Sequence, residues 1–170
     1  MLFRSKMTAA FIDSVYKFRG LGDGTAYINS ETERLLSSYV SLYLQISFDA
    51  REKIAGLISK KPFTKNAKAE VERIANDAAK YLELGMTQFP REWRNYWAAS
   101  YVYASAGMKS KALDVIKRGL ENIPSYDAPG QSRLAMSRQQ IEAISEESLK
   151  VDDDPVPSAP AATDSPAATN

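Results

Sequence analysis

The sequence predicts an all-α protein: helical hairpins stacked as a short solenoid, led by N-terminal helices and closed by a C-terminal helix. Three observations predict it. Apolar residues recur three or four positions apart through most of the chain, the spacing of one helix face. Prolines 62, 90 and 124 stand where such stretches end, as residues that cannot continue a helix. One set of residues also repeats at a fixed offset of 34 positions.

The first element lies at 3–18, where Phe3, Met7, Phe11, Val15 and Phe18 form one stripe. Arg4, Lys6, Lys17 and Arg19 make it basic, against Asp13 alone. Such a helix docks its apolar face on the body of the protein or on a membrane surface. Gly20-Leu21-Gly22-Asp23-Gly24 follows as a helix stop and turn. It lacks the glycine spacing and the preceding strand of a dinucleotide-binding loop.

Ser30-Glu31-Thr32-Glu33 reads as a capping box. Leu35, Leu36, Tyr39, Val40, Tyr43 and Ile46 continue from it at helical spacing. Val40, Leu42, Leu44, Ile46 and Phe48 alternate as a strand would, but the cap and the length favour a helix. Asp49-Ala50-Arg51-Glu52 is expected to start another helix, with Ile54, Leu57 and Ile58 apolar. Lys60, Lys61, Lys65 and Lys68 surround Pro62 as a solvated hinge.

Residues 66–89 read as one long helix or as a hairpin. After 93–124, Pro129-Gly130 opens a closing helix with Leu134, Met136, Ile141 and Ile144 apolar. From Val151 onward the chain has no aromatic residue and holds four of its eight prolines, so 151–170 is expected to be a disordered acidic Pro/Ala-rich tail. The expected organisation is a helical region 1–64, a repeat region 65–150 and that tail.

Composition narrows the chemistry. The 170 residues include no His and no Cys. Disulfides, thiolate or imidazole zinc sites, and Ser-His-Asp or Cys-His catalysis are therefore excluded. Glu70, Glu72, Asp77, Glu83 and Glu92 form no recognisable acid–base motif, so the chain is expected not to be an enzyme and to need no cofactor. The net charge of +1 hides a polarity: four of the 21 acidic residues lie in 151–170, where no Lys or Arg occurs. The rest is only mildly basic, and nucleic acid is not an expected partner. With no run of 18 apolar residues and no secretory pattern at the N-terminus, a cytoplasmic location is expected.

The repeat carries the functional expectation. Ala78, Leu82, Gly85, Phe89 and Pro90 are matched, at that one fixed offset, by Ala112, Ile116, Gly119, Ile123 and Pro124. Upstream of the second set stands Tyr96-x2-Ala99-Ser100-x2-Tyr103, with Gly107 in the turn. In period and spacing this resembles the tetratricopeptide (TPR) repeat, with one complete unit at 93–124 and a partial one before it, over about 66–124. Tyr96 stands where the family has Trp, and Ala99-Ser100 where it has Leu-Gly.

The resemblance implies a groove lined by first helices, with Arg94, Trp97, Tyr101, Ala104 and Ser105 facing it. Trp97 and Tyr101 stand where carboxylate-gripping members carry Lys, Arg or Asn. The implied ligand is therefore an apolar helix or extended segment of another protein. The chain's own N-terminal helices are the other candidate occupant. A non-enzymatic protein–protein interaction module, adaptor or chaperone-like, is the expected function. The alternatives are a structural subunit of an assembly and a membrane-associated factor acting through 3–18.

Overall fold

A computed structural model describes residues 30–145 together with Ala10 and Val151, and of residues 30–37 the backbone alone. The expected helix at 3–18, the glycine turn at 20–24 and residues 152–170 lie outside the described residues. Among the described residues the chain is all-helical, with no strand. The helices are α1 (Ser30–Ile58), α2 (Lys65–Gln88), α3 (Trp93–Ser105), α4 (Lys109–Asn122) and α5 (Ala128–Glu142).

Local chemistry sets the boundaries. Thr64 caps α2 by accepting from the Ala67 amide at 3.2 Å, and Glu92 caps α3 by accepting from the Arg94 amide. The Asp127 carboxylate accepts from the Gly130 amide at 3.0 Å and caps α5, with Pro129 in its first turn. After α3 the backbone reverses through Gly107 at φ 73°, a left-handed conformation that favours glycine. The Met108 amide closes that end on the Tyr103 carbonyl at 2.9 Å.

The helices pack in two layers. α3 is central and touches α1, α2, α4 and α5. α1, α3 and α5 form one layer, and α2 and α4 the other. The core runs through both: Tyr43, Ile54, Phe63, Val71, Leu82, Val102, Ile116, Leu134 and Ile141 are all 2% exposed or less. Burial on this scale is the main stabilising term of a small helical domain.

The two hairpins share one internal pattern. All four matched pairs Ala78/Ala112, Leu82/Ile116, Gly85/Gly119 and Phe89/Ile123 are buried. The Phe89 and Ile123 amides each donate at 2.9 Å to the carbonyl of the matched glycine, Gly85 and Gly119 respectively. The first helices correspond too. Tyr43, Ile46 and Ser47 on α1 are buried with the spacing of Tyr96, Ala99 and Ser100 on α3.

Three expectations are corrected or resolved. No separate helix begins at Asp49. α1 runs unbroken from Ser30 to Ile58, because no proline interrupts it and its only glycine, Gly56, lies in the last turn. Asp49 sits mid-helix and accepts from Gln45 Nε2 one turn back at 2.9 Å. Residues 65–88 form one helix rather than a hairpin. On α5, Met136 is 52% exposed while Ser137 beside it is buried, and Ile144 lies beyond the helix end. Ser137 is tolerated inside because its hydroxyl bonds the Arg133 carbonyl at 2.9 Å.

Candidate functional site

The five groove positions all project from α3 or its last turn, but they do not form one surface patch. Trp97 and Tyr101, one turn apart, have ring centroids 5.1 Å from each other. Phe48 of α1 meets the Trp97 ring edge-on at 6.5 Å. The Arg51 guanidinium lies 5.2 Å from the centre of the Tyr101 ring, and the Tyr101 hydroxyl donates to Gln140 Oε1 of α5. One tyrosine thus ties together the three helices of the layer.

Arg94 turns away from this cluster. Its guanidinium pairs with Glu92 at 3.2 Å and lies 5.6 Å from the Trp93 ring. Ala104 and Ser105 are half-buried around the end of α3, where they line a cavity of about 320 Å³ with Ile58, Met108, Ile141 and Ile144.

Phe48 is 49% exposed although its edge touches Trp97. On α5, Arg133 and Met136 stand two turns and one turn before Gln140, on the same side of the helix, and both are exposed. Within α3, between Trp93 and Ser105, the only charged residue is Arg94.

Beneath the strip, buried polar bonds hold the helices in register. Ser47 Oγ donates to the Ala98 carbonyl at 3.2 Å, joining α1 to α3. Asn95, fully buried, donates from Nδ2 to the Gly85 carbonyl at 3.1 Å, joining α3 to α2. Across the second layer, Arg118 donates two bonds to Glu83, at 2.6 and 3.0 Å. That bonding raises the Arg118 pKa above its ordinary value. Burial raises the Tyr96 and Tyr103 phenols beside it.

Phe48, Arg51, Met136 and Gln140 were not among the residues read as groove-lining. Nothing local marks them: Phe48, Arg51 and Gln140 reach Trp97 or Tyr101 only through the stacking of α1 and α5 on α3, and Met136 stands exposed one turn before Gln140. Among the described residues no three acidic side chains gather in an arrangement able to hold a metal ion, and no helix is long and apolar enough to cross a membrane. No protein-family model, curated protein or solved structure matches this chain.

Proposed function

We propose that the chain is a non-enzymatic interaction module of TPR-like type that holds a segment of another protein across the α1–α3–α5 layer. The observation that carries this is the Trp97–Tyr101 pair, flanked by Phe48 at about half exposure. Large aromatic side chains on a rigid helical surface are the usual anchors of protein interfaces. The shared internal pattern of the two hairpins supports the TPR-like reading, because hairpin stacking of that kind lines up first helices to form a continuous face.

The ligand best fitted to this face is an apolar helix or extended segment, seated on Trp97, with an acidic group toward Arg51 or Arg133. The test is recovery of the intact chain from its native cell, in parallel with a Trp97→Ala variant, with mass spectrometry of the co-purifying chains. A partner present with the wild type and missing from a folded Trp97→Ala supports the reading. A partner held equally by both places the interface elsewhere.

A further inference from the structure

We infer that the cleft between α1 and α2 receives an arginine side chain of a partner protein, held by Asp49. This does not rest on the function proposed for the aromatic strip.

Among the described residues Asp49 is the one buried acidic or basic residue, at 9% exposure. Groups of this type are seldom buried without an opposite charge beside them. Asp49 Oδ1 accepts from Gln45 Nε2 at 2.9 Å, but Oδ2 is buried with no hydrogen-bond partner. No ion pair reaches Asp49 among the described residues. Glu52 follows three positions later, which makes it a neighbour on the helix surface and a like charge. Two adjacent carboxyl groups with one buried oxygen unsatisfied cost the fold stability, and a cation placed between them recovers it.

The surroundings leave room for that cation and for the chain that carries it. Asp49 lines a cleft of about 500 Å³ that is open to solvent. Asp49 lies two residues beyond Ser47, whose hydroxyl bonds the Ala98 carbonyl, so the cleft is on the side of α1 turned away from α3. Leu57 and Ile74, both half-buried, supply its apolar walls. Between them Gly56 adds no bulk, and a Cβ there would meet nothing within 4 Å. Glu70, on the α2 rim, is already committed: Arg73 donates to both of its oxygens, at 2.6 and 2.8 Å. Lys53 and Lys60 complete the lining and enter no ion pair among the described residues. Negative charge thus gathers at the Asp49–Glu52 end and positive charge from Lys53 to Lys60, which sets the end at which an arginine enters. An open apolar floor with a charged rim is the form of a surface that takes a chain segment.

Arginine fits both parts of the cleft. Its methylene stem lies along apolar surface such as Leu57 and Ile74 while the charged head reaches on. The guanidinium presents five donors in a planar fork, enough to serve Asp49 Oδ2 and the Glu52 carboxylate together.

The test is a titration of the full chain, labelled with nitrogen-15, with the peptide acetyl-Leu-Arg-Leu-amide. The amides of Lys53, Gly56 and Ile74 should shift and saturate. Glutamine in place of the peptide's arginine, or Asp49→Asn in the chain, should each weaken binding about tenfold or more, since a charged hydrogen bond is lost. Asp49→Asn should also raise the denaturation midpoint in urea, because a carboxyl group held for a partner is kept at the expense of the fold. Affinity unchanged by either replacement, shifts centred on Trp97, or no shift at all would overturn the proposal. So would a lower midpoint in Asp49→Asn, which would make Asp49 a structural group served by Lys53 one turn away.

Discussion

Gly85 and Gly119, matched positions of the repeat, do the same work in their two hairpins: each lies against a tyrosine of the preceding helix. Gly85 faces the Tyr43 ring, and Gly119 faces Tyr96 together with Leu134. Each glycine also offers its carbonyl to the amide that ends its helix. Both positions are small because the helices approach closely there, not because the backbone is unusual.

The fit is tighter at the second site. A Cβ on Gly119 would stand 2.9 Å from Tyr96 Cβ, an atom fixed to the backbone, and 2.8 Å from Leu134 Cδ1. The atoms nearest a Cβ on Gly85 would be those of the Tyr43 ring, at 3.0–3.2 Å. Overpacking costs about 1–3 kcal/mol, against a helix-propensity gain of about 1 kcal/mol. Gly119→Ala should therefore lose up to about 2 kcal/mol in urea unfolding, and Gly85→Ala clearly less.

Gly56 gives the opposite expectation. It is exposed in α1, and a Cβ there would meet nothing within 4 Å. Gly56→Ala should stabilise the protein by about 0.5–1 kcal/mol, read as a higher denaturation midpoint with an unchanged slope.

Tyr43 makes stability depend on alkaline pH. Its side chain is buried, its hydroxyl bonds Gln88 Oε1, and burial pushes its pKa from 10.0 to about 12. A raised folded-state pKa favours the protonated form. The contribution is complete below pH 10 and is lost as pH rises toward 12, by up to roughly 2 kcal/mol. Tyr43→Phe should lose about 1 kcal/mol at pH 7 with the hydrogen bond. Its denaturation midpoint should fall less between pH 10 and 12 than that of the wild type. Tyr96 and Tyr103, raised in the same direction by burial, keep part of the fall in place.

Arg118 and Glu83 tie α4 to α2 with both side chains about 40% exposed. At that exposure the pair contributes little despite its two bonds. A double-mutant cycle with Arg118→Ala and Glu83→Ala should give a coupling of about 0.5–1 kcal/mol that shrinks in high salt.

Much of the fold was legible because its signals are local. Asp127 with Pro129, the prolines at 62, 90 and 124, and the glycine at 107 mark helix ends through chemistry within about one turn of chain. The first hairpin was only half visible for a geometric reason. Tyr43 stands further ahead of its counterpart Tyr96 than Ala78 stands ahead of Ala112. The longer α1 and the longer start of α2 lengthen the chain between corresponding positions, so a search at fixed period finds the second helix and loses the first. The break expected at Asp49 arose because a short acidic cluster resembles a helix start. Helix continuity depends instead on what is missing from the sequence, a proline or a mid-helix glycine. Trp97 and Tyr101 were readable as one face from their spacing. Phe48, Arg51 and Gln140 were not, because they come to α3 from helices far away along the chain.

The central claim is that the strip around Trp97 binds a partner segment rather than serving the fold alone. Its most direct test is calorimetric titration of the partner segment recovered with the intact chain, comparing wild type with Trp97→Ala, each checked by a thermal melt. An anchor of this kind is worth about 2 kcal/mol or more, so affinity should fall about 30-fold while the melt stays cooperative. Equal affinity for both proteins, or a Trp97→Ala chain that no longer folds, would contradict the account.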